Sequence, residues 1–129
     1  MMQQISESEL ILMKIIWKCG GTALFSLITE ELEREQSEWK NNTVLTLLSR
    51  LVGKKYLKTR KIGRRNEYIA TITEQEYQSE QTYAFVDRVY EGNVKNLVTA
   101  LLQQDSLTES EWNELEAFWK QTVKERTEK

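Results

Sequence analysis

The residues best suited to chemistry in this 129-residue sequence are cations, and they are concentrated in one stretch. Between residues 50 and 65 the chain carries eight lysines and arginines and no acidic residue. Guanidinium and ammonium groups at this density are typical of surfaces that bind the phosphates of a nucleic acid. These cations are Arg50, Lys54, Lys55, Lys58, Arg60, Lys61, Arg64 and Arg65. We therefore expect this stretch to face a polyanion.

The net charge of −2 conceals a separation of charge along the chain. Residues 40–73 carry nine basic side chains and one acidic side chain. Residues 1–39 carry three basic and seven acidic side chains, and residues 74–129 carry six basic and twelve acidic ones. A basic middle between acidic flanks favours contact with a polyanion through the middle alone. A solvated lysine-rich hairpin has the same composition, so charge by itself leaves that alternative open.

The composition argues against catalysis and against metal or cofactor binding. The chain has no histidine and one cysteine, Cys19, so an internal disulfide is impossible and zinc lacks its usual ligands. Glutamates cluster between residues 30 and 35, but helical spacing sends them to solvent instead of to a common cleft. No glycine-rich phosphate loop is present. We therefore predict a protein that is not an enzyme and needs no cofactor.

The apolar segments are too short for a membrane protein. The longest apolar run, residues 10–17, is interrupted by Lys14 and cannot span a bilayer. The N-terminus also lacks the basic leader and cleavage site of a signal peptide. We expect a cytoplasmic protein with no direct membrane insertion.

A predicted amphipathic helix at about residues 41–54 leads into the cationic stretch, with Asn41 as its N-cap. Five apolar residues follow the spacing of a one-faced helix, and short polar residues occupy the opposite side. The apolar residues are Val44, Leu47, Leu48, Leu51 and Val52. Short polar side chains allow a helix to approach the major groove of DNA closely. Leu45 lies on one flank of the polar side, where it contacts either a thymine methyl group or the core.

The segment after this helix predicts a β-hairpin at about residues 57–72. Residues 62–66 form a glycine-containing turn, and alternate residues from Tyr68 to Ile72 are apolar. Earlier in the chain, Ser6 and Glu9 predict a capping box, Gly20 and Gly21 end the first helix, and Thr22 is a candidate cap for a second.

Three helices followed by a hairpin are the order of a winged helix-turn-helix. The hairpin is then a wing whose tip carries two arginines. The predicted fold class is mainly α with this small β wing. The candidate DNA-binding residues are Lys40, Asn41, Asn42, Thr43, Thr46, Ser49, Arg50, Lys54, Arg60, Arg64 and Arg65.

Residues 74–129 predict further amphipathic helices that are too few to enclose a core unaided. The second helix of the chain is expected to turn Leu24, Leu27, Ile28 and Leu32 inward and its glutamates outward. A homodimer is the economical partner for the C-terminal helices, and folding back onto the N-terminal domain as a monomer is the alternative. The candidate dimerisation residues are Tyr83, Val86, Tyr90, Val94, Leu97, Val98, Leu101, Trp112, Leu115 and Trp119.

Several segments together resemble the penicillinase repressor family, of the BlaI/MecI/CopY type. The matching segments are residues 9–17, 39–51, 53–57, 89–92 and 97–98. The resemblance implies a winged-helix DNA-binding domain, residues 1–73, and a helical dimerisation domain, residues 74–129. It also implies a dimeric transcriptional repressor that binds double-stranded DNA at a palindromic operator.

The resemblance has a regulatory implication and three departures. In β-lactam-responsive members a membrane sensor triggers proteolytic cleavage of the repressor, and the aligned bond here is Ala100–Leu101. Those members usually have asparagine before phenylalanine at this bond. Family members commonly carry lysine at the position of Asn42 and arginine or lysine at that of Leu45. The chain also lacks the C-terminal cysteines of the copper-responsive branch.

A second function fits the same fold. A winged-helix module can present its basic face to an acidic protein without sequence-specific DNA binding. Competition between duplex DNA and the protein partner would discriminate the two.

Overall fold

The computed structural model describes residues 3–104 and 107–127, and its elements fall into two compact units, residues 1–81 and 82–129. The described residues contain six helices and three strands. The elements are α1 (Glu7–Lys18), β1 (Thr22–Leu24), α2 (Phe25–Arg34), α3 (Asn41–Gly53), β2 (Leu57–Ile62), β3 (Arg65–Ala70), α4 (Glu74–Tyr90), α5 (Val94–Gln103) and α6 (Glu109–Thr127). Among the described residues, no helix is long and apolar enough to cross a membrane.

The ends of α1 are set by the residues that the sequence indicates. The amide of Glu9 donates to Ser6 Oγ at 3.1 Å, and the amide of Ser6 donates to Glu9 Oε1 at 3.1 Å, which confirms the capping box. At the other end, Gly20 has φ +91° and the Gly21 amide donates to the Ile16 carbonyl at 2.9 Å. This is a Schellman ending, in which glycine takes the left-handed position without strain.

The prediction that Thr22 caps the second helix is wrong. Thr22 begins β1 and pairs with Ile69 of β3, and α2 starts only at Phe25 without a side-chain cap. The Ala70 amide donates to the Gly21 carbonyl at 2.8 Å, so this part of the chain completes a sheet. Asn41 is likewise the first residue of α3, and Lys40 occupies the N-cap position.

Burial on α2 differs from the prediction at two positions. Leu27 is exposed, whereas Glu31 is buried. The Glu31 carboxylate lies 3.0 Å from Arg34 Nη1 and 3.6 Å from Lys18 Nζ. These two cations compensate the carboxylate, which explains why a glutamate is tolerated there.

The core of the first unit lies between α1, α3 and the sheet. Its fully buried side chains include Leu12 and Ile16 of α1, Leu48 and Leu51 of α3, and Tyr56. Because α3 packs one side against this core, its opposite side is left in solvent.

The three strands form an antiparallel sheet in the order β1-β3-β2. Ile62 pairs with Arg65, so the hairpin turn contains only Gly63 and Arg64 and is tighter than the predicted turn at residues 62–66. Gly63 has φ +63°, as the first central residue of a type II′ turn requires.

The division between the two units falls within α4, whereas the sequence places a domain boundary before that helix. Tyr77, in the first turns of α4, packs with Trp17 and Tyr56, with ring centroids 5.5 and 6.1 Å apart. The start of α4 therefore belongs to the first unit.

Candidate nucleic-acid interface

Helix α3 presents a polar surface opposite the core. Asn42, Thr46 and Ser49 are exposed, whereas Val44 and Leu48 on the other side are buried. The Thr46 hydroxyl donates to the Asn42 carbonyl at 2.9 Å, so its oxygen remains available as an acceptor. Lys40 and Thr43 are also exposed at the start of α3. The predicted helical reading face is therefore accessible along its length.

An open cleft of about 400 Å³ joins this helix to the tip of the β2–β3 hairpin. Leu45 provides the α3 wall, and Arg64 and Arg65 provide the hairpin wall. The remaining lining residues are Leu24, Phe25, Ser26, Asn66 and Tyr68. The structure therefore brings the two arginines of the predicted wing tip to the same surface as the third helix.

Arg50 lies on the other flank of α3. It follows Leu45 by five residues, which places the two side chains about 140° apart around the helix axis. Arg50 is exposed. The polar face of α3 is thus bordered by cations on both sides, from Arg50 on one side and from the hairpin tip on the other.

Lys54 has a different environment from the other predicted DNA contacts. Its ammonium lies 2.9 Å from Glu9 Oε1 and donates to the Gln4 carbonyl at 2.9 Å. Burial raises the pKa of Glu9, but the Lys54 ammonium and the hydrogen bonds with Ser6 outweigh it and hold the pKa below its ordinary value. These contacts give Lys54 a structural role, and its predicted contact with DNA stays a prediction.

Arg60 also has an acidic partner. Its guanidinium donates to Glu67 Oε1 from the directly opposite position of the hairpin. Arg60 remains largely exposed, whereas Glu67 is mostly covered. Part of the wing's charge is therefore neutralised at its middle, and the excess is concentrated at the tip.

Seven basic residues between positions 40 and 73 have no ion-pair partner in the part of the chain that the structure describes. They are Lys40, Arg50, Lys55, Lys58, Lys61, Arg64 and Arg65. A dense set of unpaired cations attracts a phosphate backbone and releases its counterions.

Three residues at this surface were missing from the predicted contacts. Lys61 pairs with Asn66, a cleft residue, so it shares the sheet face that borders the cleft. Phe25 and Ser26 line the cleft from the first turn of α2. The face of Lys61 follows from strand alternation once the two-residue turn is known, whereas no local signal places α2 beside the hairpin.

The comparisons with known proteins agree with this geometry. A family model described as penicillinase repressor matches residues 5–121. The chain belongs to the penicillinase repressor family. Membership identifies it as a transcriptional repressor and not as an enzyme, as the sequence predicts.

Relatives of this repressor include proteins of known structure. The penicillinase repressor of Bacillus licheniformis is 36% identical over 115 residues, which cover 87% of this chain and 86% of the relative. The solution structure of the DNA-binding domain of the repressor BlaI is 37% identical, covers 60% of this chain and 94% of that one, and has a TM-score of 0.51.

A second solution structure is that of monomeric Bacillus licheniformis BlaI in complex with the blaP half-operator. It is 36% identical, covers 60% of this chain and 92% of that one, and has a TM-score of 0.51. These two likenesses confirm the predicted winged-helix fold of the N-terminal part of this repressor.

The second unit of the repressor exposes most of its apolar residues. Among the described residues of α5 and α6 none is buried, and Phe118 and Trp119 are 70% and 66% exposed. The side chains of Asn93 and Thr108 cap α5 and α6 by accepting hydrogen bonds from the amides of Asn96 and Glu111. The helices of this unit therefore form without enclosing a core of their own.

The predicted dimerisation residues divide by exposure. Val86 is only 3% exposed in the single chain, so little of its side chain is accessible there. Tyr90, Leu97 and Trp112 are half-buried. The exposed members are Tyr83, Val94, Val98, Leu101, Leu115 and Trp119. Phe118, which the sequence prediction left out of this set, is more exposed than any of them.

Proposed function

We propose that this repressor binds a palindromic operator duplex as a symmetric homodimer, with α3 in the major groove and the β2–β3 hairpin on the adjacent backbone. The cleft that unites Leu45, Arg64 and Arg65 is the observation that carries the proposal. A helix with a polar face and a cationic wing on one surface can contact base edges and phosphates at the same time.

The likeness to BlaI bound to a half-operator supports the same mode of binding. That complex is 36% identical and matches most of the BlaI chain present in it. In our proposal Asn42, Thr46 and Ser49 hydrogen-bond to base edges or phosphates, while Arg50, Arg64 and Arg65 bind phosphates or guanine. Lys40, Asn41 and Thr43 contact the backbone at the start of α3.

The exposed apolar residues of the second unit support homodimerisation. Val98, Leu115 and Trp119 are exposed in the single chain. Transfer of such apolar side chains from water into an interface lowers the free energy. A second copy of the chain covers such a surface symmetrically and matches the symmetry of a palindrome.

A test of dimerisation is the substitution Trp119→Glu. Trp119 is exposed in the single chain, so the substitution leaves the fold intact but places a charge in the proposed interface. We expect sedimentation equilibrium to show a dimer for the parent and a monomer for this variant. The control is Asn113→Glu, which adds the same charge on another side of α6 and should remain dimeric. A parent that is monomeric at all concentrations would contradict the proposal.

We also propose that derepression follows cleavage of the Ala100–Leu101 bond by a membrane sensor protease. The bond lies inside α5, and Leu101 is exposed. Since proteases bind their substrates as extended chains, α5 must open locally before cleavage, and a helix without buried residues opens at low cost. Incubation with the purified cognate sensor should yield two fragments ending at this bond. An intact chain, or a cut elsewhere, would disprove this part of the proposal.

Operator binding is tested by selecting duplexes from a random pool and measuring affinity against salt. We expect a palindromic consensus and an affinity that falls steeply with salt. Arg64→Ala should reduce the salt slope by about 0.9 if Arg64 binds a phosphate, or relax one base preference at a cost of about 1–3 kcal/mol if it binds guanine. Lys120, which pairs with Glu116 on α6, provides the control Lys120→Ala with unchanged binding. Equal affinity for all sequences would refute operator recognition and favour an acidic protein partner.

A further inference from the structure

Leu45 is an apolar residue on a polar surface. It is 41% exposed, although leucine is usually buried. Of its neighbours three and four residues away, Asn41, Asn42 and Ser49 are exposed and Leu48 is buried. Leu45 therefore lies where the polar face of α3 borders the apolar stripe, and its exposure is not explained by the solubility of the helix.

The core does not require Leu45 either. Val44 and Leu48, the residues beside it in the apolar stripe, are fully buried and complete the packing of α3. Leu45 instead forms the α3 wall of the cleft, opposite Arg64 and Arg65 of the hairpin tip. It therefore occupies the point where the proposed reading helix and the proposed phosphate-binding wing meet.

The chemistry of the major groove limits what such a residue can recognise. The base edges exposed there are hydrogen-bond donors and acceptors, apart from one apolar group, the C5-methyl of thymine. In the proposed binding mode, Arg64 and Arg65 on the far side of the cleft contact the DNA, which brings a base edge within reach of the α3 side. A branched apolar side chain at that point packs favourably on the methyl group of thymine. Against any other base it would leave a hydrogen-bonding edge without a partner.

We propose that Leu45 packs against the methyl group of one thymine in each operator half-site and thereby specifies thymine at that position. This inference rests on the proposed function and assigns a specificity-determining residue to it. The methyl contact carries no charge, so it contributes to sequence preference and leaves the salt dependence of binding unchanged.

The size of the effect follows from the group that is removed. Replacing thymine by deoxyuridine deletes only the methyl group, and burying one such group changes a binding constant by roughly fourfold. The test uses the selected operator, with each thymine of one half-site replaced in turn by deoxyuridine. The dissociation constant is measured at a fixed salt concentration for the parent and for Leu45→Ala.

We expect a roughly fourfold loss at one thymine for the parent and no loss at that thymine for Leu45→Ala. Leu27→Ala is the matched control, because Leu27 is also an exposed leucine but is not among the residues that line the cleft. This control should keep the full sensitivity to deoxyuridine. Because both positions are exposed, we expect circular dichroism to show that both variants are folded.

A second variant tests the same position by gain of function. Leu45→Lys replaces the apolar side chain with a donor that pairs with O6 and N7 of guanine. We expect operators selected with this variant to carry guanine in place of the thymine.

The outcomes separate the two levels of the proposal. If the parent selects an operator but Leu45→Ala retains every deoxyuridine effect, the role of Leu45 is disproved and operator recognition stands. If the parent selects no sequence, the proposed function fails first. Unchanged base preference in Leu45→Lys would also count against the role of Leu45.

Discussion

Replacement of Lys54 by alanine tests whether this cation stabilises the fold or binds DNA. The Glu9 side chain is 3% exposed, and its Oε2 is buried without a hydrogen-bond partner among the described residues. Its Oε1 accepts hydrogen bonds from Lys54 Nζ at 2.9 Å and from the Ser6 amide at 3.1 Å. Lys54→Ala removes the cation and leaves the carboxylate buried.

The expected loss is large for a single surface lysine. A hydrogen bond to a charged group contributes about 1.5–3 kcal/mol, and leaving one member of a buried pair unpaired costs about 3–5 kcal/mol. The Lys54 side chain retains 24% exposure, so water compensates part of this cost. We expect the free energy of unfolding to fall by about 2–4 kcal/mol near neutral pH.

The pH dependence gives this prediction a second, independent signature. The pKa of Glu9 lies below its ordinary value in the parent, so the stability due to its ionised form is present above about pH 4.3 and is lost as pH falls through the folded-state pKa. Without Lys54 the burial of Glu9 dominates, and its pKa should rise above the ordinary value. Protonation of Glu9 then removes the buried negative charge from the variant. The difference in the free energy of unfolding between parent and variant should therefore decrease as the pH is lowered.

Urea unfolding followed by tryptophan fluorescence, at neutral pH and near pH 4, measures both effects. Lys58→Ala is the control, since Lys58 is an exposed cation without an ion-pair partner among the described residues. A loss below about 0.5 kcal/mol would refute a stabilising role, and an equal loss at both pH values would refute stabilisation through the ionised Glu9 carboxylate. A salt slope of operator binding reduced by about 0.9 would restore Lys54 as a phosphate contact.

Three further predictions concern the stability of the first unit. Gln36 has φ +59° at the end of α2, so Gln36→Gly should raise the free energy of unfolding by about 1 kcal/mol, whereas Gln36→Ala should bring no such gain in urea unfolding. Burial raises the pKa of Tyr56, Tyr68 and Tyr77, so these hydroxyls stay protonated to higher pH in the folded state than in the unfolded state. The free energy of unfolding should therefore fall as the pH rises above about 10. Tyrosinate absorbance and circular dichroism, recorded together, would measure this. Leu48→Ala should cost about 2–5 kcal/mol in thermal or urea unfolding, because Leu48 is fully buried, and a cost below about 1 kcal/mol would contradict the packing of α3.

Local interactions account for what the sequence predicted well. The capping box at Ser6 joins residues three positions apart and forms as predicted, and similar boxes form at Thr73 and Thr108. The apolar stripe of α3 could also be predicted, because a period of 3.6 residues identifies the buried side of a helix without knowledge of the elements that pack against it. The winged-helix fold was predicted from the order of three helices and a hairpin, together with the family resemblance.

The prediction for Thr22 failed because of pairing between residues far apart in sequence. Strand β1 has three residues, too few to show alternation, and exists because β3 lies beside it. The ion pair of Lys54 was equally hidden from the sequence, because its partner Glu9 lies 45 residues away. The same limit applies to the cleft, whose walls come from α2, α3 and the hairpin.

The pairing of β1 with β3 also decides when the first unit can finish folding. Thr22 pairs with Ile69, and the indole of Trp17 donates to the Ile72 carbonyl at 2.9 Å. These contacts stabilise the chain only after a long loop has closed, and loop closure costs conformational entropy. The folding rate is therefore expected to be lower than that of a helical bundle with local contacts alone. During synthesis on the ribosome, the first three helices emerge before β3, the strand that pairs with β1. A nascent chain that stops short of residue 70 therefore leaves β1 with its edge unpaired, and the hairpin supplies the last step of assembly.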